Sequence, residues 1–115
     1  MQKNEIKAKI IETIENNRSK IVELVDEIYK NPELGYKEEK TTKIIAEAFS
    51  DLEIDFKEHQ NLSGINALLE MENPGPKIAV LGELDAVTCS EHPDADPETN
   101  AVHACGHNIQ LGVMY

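Results

Sequence analysis

The chain contains, at residues 103–108, the stretch HACGHN, which leads directly into the mostly apolar run IQLGVM at residues 109–114. Imidazole nitrogen and thiolate sulfur are the ligands that borderline-soft divalent metals such as zinc prefer. Gly106 stands between Cys105 and His107, where the backbone has to turn tightly. If the apolar run forms a helix, the cysteine and the second histidine lie near its N-terminus, where the helix dipole favours a thiolate. The pattern therefore predicts that the chemistry of the chain lies in this stretch.

Composition limits the class of protein. A chain of 115 residues is long enough for one small domain and too short for two. Its 11 Lys and Arg residues against 22 Asp and Glu residues give a formal net charge of −11. Nucleic acid is excluded as a partner on this ground, because phosphates reward basic residues. The hydrophobic fraction of 40% is ordinary for a globular domain.

The N-terminus and the cysteines indicate a cellular compartment. Residues 1–10 lack the apolar segment of a secretory signal peptide, and no stretch approaches the roughly 18 apolar residues of a membrane span. Cys89 and Cys105 form neither a Cys-x-x-Cys pair nor a disulfide framework. We therefore expect a cytoplasmic protein with no membrane partner.

Helical periodicity precedes the central stretch. Apolar residues recur at intervals of three, four and seven from Ile6 to Ile28, and residues 16–19 interrupt them, so a short break would divide this helix in two. Pro32 ends the pattern, because the residue before proline is pushed out of the α region. A second helix is predicted for residues 38–52. Its inward face would carry Thr41, Ile44, Ile45, Ala48, Phe49 and Leu52.

Three short segments have strand character. Residues 54–58 predict one strand, and residues 65–71 alternate apolar and polar positions with one face better buried. Residues 78–82 are apolar on both faces, which is typical of an interior strand. Two helices, about three strands and the start of a further helix predict an α/β fold with layered architecture.

The acid-rich segment at residues 83–102 is predicted to be a loop without structure of its own. Such loops are often functional, and this one follows the predicted interior strand, where open α/β sheets place their sites. The chain stops at Tyr115 inside a predicted apolar helix without a stop signal, and a three-stranded sheet would leave open edges. We therefore interpret residues 1–115 as the N-terminal portion of a larger catalytic domain, truncated inside a helix.

A metal site competes with a structural interpretation of Cys105 and His107. A single buried cysteine or histidine is usually structural. The compact His-x-Cys-Gly-His grouping after an acid-rich loop favours a metal. Deprotonating the thiol costs roughly 2 kcal/mol at pH 7, whereas a complete zinc site returns on the order of 10 kcal/mol. Two ligands do not complete a site, so others have to come from elsewhere.

Neighbouring residues offer further candidates. Glu83 and Asp85 lie two apart in an extended segment and point the same way, so either could bind a metal or orient a ligating imidazole. The alternative is a solvated loop acid, and the pattern favours a functional role more for Asp85 than for Glu83. His103 lies four residues before His107 and shares its face only if the helix begins early. No pattern supports a role for three others, which we interpret as structural: Cys89, His92 and His59.

Three motifs together carry a family resemblance: NPELG at residues 31–35, GELDA at residues 82–86 and HACGH at residues 103–107. In this order they resemble the clan MH metallopeptidases, with their aminoacylase and carboxypeptidase relatives. They are most similar to the amidohydrolase branch, which includes hippurate, aminobenzoyl-glutamate and indole-acetyl-amino-acid hydrolases. The match extends from about Ser19 to the end of the chain. The first motif is weak alone, and the third is highly specific.

The resemblance implies a hydrolase that cleaves the amide bond of N-acyl amino acids or small peptides. Water would be activated by two divalent metal ions, either zinc, manganese or cobalt. By motif position, Cys105 and His107 would be metal ligands, and Asp85 would be the catalytic acid behind the metal site that supports its ligands. Glu83, His103 and Asn108 would contact and orient those ligands without binding the metal themselves. The family usually has aspartate where this chain has Asn108, whose amide oxygen can still accept a hydrogen bond.

The resemblance also implies that part of the site lies outside the chain. The family's paired glutamates, one of them the general base, its remaining histidine ligands and its lid and dimerisation domain all follow the third motif. We therefore expect the intact enzyme to be active, with a homodimer as its expected assembly, and this chain to be inactive alone. Two other interpretations stay open: a non-catalytic metal-binding fragment, and a cysteine hydrolase with Cys105 as nucleophile and a histidine as base.

Overall fold

The computed structural model describes residues 2–115, which form four helices and two small antiparallel sheets. The elements in chain order are α1 (Lys3–Asn16), α2 (Arg18–Lys30), α3 (Glu39–Asp51), β1 (Phe56–Glu58), β2 (Ile65–Ala67), β3 (Val87–Thr88), β4 (Ala101–Val102) and α4 (His107–Met114). The predicted α/β class is confirmed. The strands form two separate hairpins, β1–β2 and β3–β4, where one layered sheet was expected.

The first helical segment is broken where the sequence predicts it. α1 ends before Asn17, whose side-chain amide and main-chain N–H both donate to the carbonyl oxygen of Thr13. α2 buries Leu24 and Ile28, but α1 buries none of its residues, and Ile10 is 53% exposed. The apolar spacing of α1 is therefore not matched by burial. The break separates it from α2, which is the part that packs against α3 and α4.

Glu33 explains why α3 begins where it does. Its carboxylate accepts hydrogen bonds from the main-chain N–H of Lys40 (3.0 Å) and of Thr41 (2.7 Å), and from the Thr41 hydroxyl (2.8 Å). Helix N-termini leave such N–H groups without internal partners, so an acceptor here stabilises the first turn. The helix prediction is confirmed to within one residue at each end, and the buried face is as expected except that Leu52 is 39% exposed.

The strand predictions are only partly confirmed. β1 lies within the first predicted strand, but β2 ends at Ala67, so the predicted continuation to Met71 is wrong. Residues 78–82 adopt no regular structure, and the side chain of Leu81 is 83% exposed. The interior-strand prediction is therefore wrong. A strand needs hydrogen-bonded neighbours, and nothing within residues 2–115 pairs with this segment.

The acid-rich segment is more ordered than predicted. It contains both β3 and β4, and Ala86 pairs with Leu34 in a parallel bridge. The Tyr29 hydroxyl donates a 2.8 Å hydrogen bond to the Asp94 carboxylate, which ties the segment to α2. The expectation of a loop without structure of its own is wrong, because local turns and these two ties supply its backbone with partners.

The core lies where α2, α3 and α4 meet. Its buried side chains are Leu24, Ile28, Ile45, Ala48 and Leu111. α4 begins at His107, directly after Gly106, which has a φ of +87° that favours glycine. The predicted helix after the HACGHN stretch is thus confirmed. Within residues 2–115, no helix combines the length and hydrophobicity needed to cross a membrane.

Candidate active site

His107 lies between two carboxylates. Its Nδ1 is 2.9 Å from the carbonyl oxygen of Asp85 and 3.0 Å from Oδ1 of the same residue. Its Nε2 is 3.1 Å from Oε2 of Glu83. Residues two apart in an extended segment point to the same side, which explains how Glu83 and Asp85 both reach this ring. The structure therefore brings these three predicted residues together at the start of α4.

The contacts of Nδ1 determine the tautomer of His107. A main-chain carbonyl oxygen can only accept a hydrogen bond, so Nδ1 carries the proton that faces Asp85. In a neutral ring, Nε2 then carries a lone pair directed at the Glu83 carboxylate. Two electron-pair donors at 3.1 Å need a positive charge between them, supplied by a proton or by a metal ion. The 3.1 Å between His107 Nε2 and Glu83 Oε2 is less than the sum of two zinc–ligand distances of about 2.0–2.2 Å each, so one ion could contact both atoms.

Cys105 lies beside the same residues but does not close a site with them. Its Sγ is 3.9 Å from the Asp85 carbonyl oxygen, and the thiol is exposed and free. In the part of the chain that the structure describes, residues 2–115, no three or more His, Cys, Asp or Glu side chains converge in a way that could hold a metal ion. The donor types and the orientation of His107 thus fit a metal, while the number of ligands does not complete a site.

His103 and Asn108 are buried next to this group. Only 3% of His103 is exposed, and among residues 2–115 neither of its ring nitrogens finds a hydrogen-bond partner. Burial lowers the pKa of His103, the charge of His107 lowers it further, and the nearby Asp85 and Glu33 oppose both effects. Oδ1 of buried Asn108 likewise finds no partner in the described residues. Unpaired buried polar atoms cost about 1–3 kcal/mol each and call for a partner such as an ion or a water molecule.

The residues interpreted as structural stay apart from this group. Nδ1 of His92 accepts a hydrogen bond from the main-chain N–H of Asp94, within the acid-rich segment. Cys89 is exposed and free, and its main-chain N–H donates to the carbonyl oxygen of Asn100. His59 is exposed near the β1–β2 turn.

Sequence reasoning missed two residues that support the group. Gln110 accepts a hydrogen bond from the Glu83 main-chain N–H (2.7 Å) and donates one to Glu83 Oε2 (3.2 Å). A polar residue three positions after His107 on a predicted helix was the available signal, since such residues share a face. The Glu33 carbonyl oxygen accepts a 2.7 Å hydrogen bond from Ala86, directly after Asp85. The sequence offered no signal for that contact beyond the NPELG motif itself.

Known proteins resemble this chain in both sequence and structure. Thermostable carboxypeptidase 2 of Saccharolobus solfataricus is 30% identical over 98 residues, which cover 82% of this chain and 25% of the relative. Hippurate hydrolase of Campylobacter jejuni is 31% identical over 85 residues, covering 71% of this chain and 22% of the relative. Over most of its length, the chain is therefore similar to part of known carboxypeptidases and amidohydrolases. No family model matches it.

A solved structure shows the same similarity at the level of the fold. A protein of methicillin-resistant Staphylococcus aureus, described as an aminohydrolase, superimposes with a TM-score of 0.74 at 26% identity, covering 93% of this chain and 29% of that one. The resemblance inferred from the three motifs is thereby confirmed. The chain spans about a quarter of the length of these curated relatives. The roles of Cys105, His107, Asp85, Glu83, His103 and Asn108 stay predictions, as does the assignment of residues 1–115 to part of a larger catalytic domain.

Proposed function

We propose that this chain supplies part of the active site of a metal-dependent hydrolase that cleaves the amide bond of N-acyl amino acids or small peptides. One observation carries the proposal: His107 has Nδ1 fixed by Asp85 while its Nε2 faces the Glu83 carboxylate at 3.1 Å. A histidine held through one nitrogen by a carboxylate or carbonyl oxygen is the usual arrangement of a metal ligand. The names of the relatives, a carboxypeptidase and a hippurate hydrolase, favour a small acylated substrate.

Each residue has a defined part in this proposal. Asp85 keeps the proton of His107 on Nδ1 and so leaves the Nε2 lone pair available to a cation. His107 and Cys105 would bind the ion, and Glu83 would balance its charge. Bound there, a divalent ion would polarise the scissile carbonyl and lower the pKa of a bound water toward about 7. The second of two ions, the remaining ligands and the general base would come from other parts of the intact enzyme.

The surroundings of the group agree with this proposal. The unpaired polar atoms of His103 and Asn108 lie on the buried side, where a bound ion and its associated groups would give them partners. Two free, exposed cysteines suit a reducing compartment, which supports the proposed cytoplasmic location. A homodimer of the intact enzyme stays a prediction.

Metal binding tests the proposal directly. Titration calorimetry of the metal-free intact protein that carries this sequence, with Zn²⁺, Mn²⁺ or Co²⁺, is expected to show saturable binding that Cys105→Ser and His107→Gln abolish. Cys89→Ser and His59→Gln alter an exposed cysteine and an exposed histidine elsewhere and serve as matched controls. Binding that is equally weak in the parent and all four variants would refute the proposed ligands.

Hydrolysis separates the proposed enzyme from a cysteine hydrolase. The protein that carries this sequence is to be assayed with hippurate and other N-acyl amino acids. A metal enzyme loses activity to a chelator and regains it with zinc, manganese or cobalt. Activity that survives the chelator but disappears both on thiol alkylation and in Cys105→Ser, while Cys89→Ser keeps it, would instead identify Cys105 as a nucleophile.

A non-catalytic metal-binding role is the second candidate. It is favoured by the incomplete ligand set in the described residues, which leaves His107 and Cys105 without a third converging side chain. Stoichiometric metal binding without hydrolysis of any acylated substrate would support this role over the enzymatic one.

A further inference from the structure

We propose that Gln110 is a positioning residue that holds Glu83 against Nε2 of His107 and thereby supports metal binding there. This inference rests on the proposed function and adds a residue that the family motifs do not include. Gln110 makes two hydrogen bonds to one residue, accepting from the Glu83 main-chain N–H at 2.7 Å and donating to Glu83 Oε2 at 3.2 Å. The same Oε2 faces His107 at 3.1 Å.

The local backbone makes this double contact geometrically favourable. His107 and Gln110 are three residues apart on α4 and therefore share a face. The preceding Gly82 brings the extended segment close to that helix, since a Cβ at this position would lie 2.7 Å from Cδ2 of Leu111. Glu83 thus enters alongside α4, within reach of both polar side chains.

Glu83 needs such support because its side chain is mobile by nature. It is 61% exposed, and a glutamate loses up to about 2 kcal/mol of rotamer freedom when it is held in one conformation. An exposed carboxylate facing an imidazole gains little on its own. Gln110 fixes the backbone through one hydrogen bond and the carboxylate through the other, so the position of Oε2 is determined.

The chemistry of an amide suits this task. Lysine or arginine in the same place would neutralise Glu83 and repel a cation at Nε2. The neutral amide of Gln110 orients the carboxylate and leaves its negative charge available to a metal ion. The contact is therefore consistent with support of a cation and would be unnecessary for a purely structural ion pair.

The first test uses the metal-free chain. The ¹⁵N resonance of His107 Nε2, assigned with His107→Gln, reports the group that faces this nitrogen. Gln110→Ala is expected to shift it in the same direction as Glu83→Ala, and the double variant should shift it no further than Glu83→Ala alone. Gln60→Ala, which alters an exposed glutamine outside the site, is the matched control. A resonance that moves with Glu83→Ala but not with Gln110→Ala would overturn the inference.

The second test measures metal affinity by calorimetry with Zn²⁺. Gln110→Ala is expected to weaken binding by roughly 10–100-fold, as losses of residues that orient ligands do. Gln110→Glu keeps an acceptor for the main-chain N–H of Glu83 but places a second negative charge beside the Glu83 carboxylate. Because like charges repel, this variant should also shift the ¹⁵N resonance of His107 Nε2. Unchanged affinity in Gln110→Ala, with binding lost in His107→Gln, would overturn the inference.

The two tests separate this inference from the proposed function. If the intact protein that carries this sequence binds no metal, the proposed function fails, and the Nε2 resonance alone decides whether Gln110 positions Glu83. Circular dichroism and thermal unfolding of each variant establish that it is folded, so that unfolding is not mistaken for loss of the contact between Gln110 and Glu83.

Discussion

Gly112 is the position at which the packing of α4 can be tested most directly. It is buried in the middle of α4, and a Cβ built there would overlap Cγ2 of Val25 on α2 and lie 3.6 Å from Cγ2 of Ile21. The two helices therefore approach each other at a point where no side chain fits. Gly112→Ala tests this approach, and with it the placement of His107 and Gln110 on the same helix.

Two opposing effects determine how much Gly112→Ala changes the free energy of unfolding. Alanine is more favourable than glycine inside a helix by about 1 kcal/mol. Overpacking a closely packed contact costs about 1–3 kcal/mol, and Val25 yields poorly because its branched side chain has restricted χ1. Overpacking is expected to win, with a net loss of about 1 kcal/mol, and at most about 2 kcal/mol, in the free energy of unfolding. For a domain of this size, that corresponds to a lower Tm by roughly 4 °C for each kcal/mol.

Urea denaturation followed by circular dichroism measures this loss. Val113→Ala, at the exposed next position of α4, is the control for helix propensity alone and should be neutral or slightly stabilising. Combining Gly112→Ala with Val25→Ala removes the overlapping methyl, so the double variant should be more stable than the sum of the two single losses by about 1 kcal/mol. A Gly112→Ala chain as stable as the parent, or more so, would refute the close approach of α2 and α4.

Two further predictions concern side chains that organise the backbone. Glu33→Ala should lower the free energy of unfolding by about 1–2 kcal/mol, because the first turn of α3 loses its hydrogen-bond acceptor. Glu47→Ala, on the exposed face of α3, should have little effect in the same urea experiment. Equal losses in the two variants would contradict the capping role of Glu33. The hydrogen bonds that Asp96 accepts from Thr99 and from the Glu98 N–H lower the pKa of the Asp96 carboxyl below its ordinary value of 3.8. Because the folded pKa lies below the unfolded one, this stabilisation is present above about pH 4 and is lost as the pH falls through the folded pKa. The difference in stability between the parent and Asp96→Asn should therefore shrink in acid, and a pH-independent difference in denaturation would contradict this origin.

Local signals predicted the helices well. The break near Asn17 and the bounds of α3 follow from apolar spacing and from residues that hydrogen-bond their own backbone, such as the Asn17 amide to Thr13. The start of α4 follows from a glycine at a φ of +87° directly before an apolar run. These features depend on neighbours in sequence, so one sequence suffices to place them.

Burial and strand pairing depended on partners that periodicity does not specify. α1 also carries apolar residues at helical spacing, although its apolar face is less pronounced than that of α2, and it is α2 that packs against α3 and α4. Residues 78–82 have the composition of an interior strand, but composition states only that burial would be favourable. Whether a strand forms depends on neighbouring strands that satisfy its N–H and C=O groups.

In the candidate site too, some features could be predicted from the sequence, and others depend on the fold. The motifs identified His107, Asp85 and Glu83 by residue type, and the spacing of two predicted that both acids point the same way. Neither could predict that Asp85 would engage Nδ1 through its carbonyl oxygen as well as its carboxylate, which is the contact that fixes the tautomer. That contact depends on where the main chain passes beside α4, which in turn depends on Gly82 lying against Leu111. The electron pair of Nε2 is thus directed by the packing of the main chain at Gly82 against α4, the helix that carries the histidine. The motifs supply the residue types, and this packing sets the electronic state of the site.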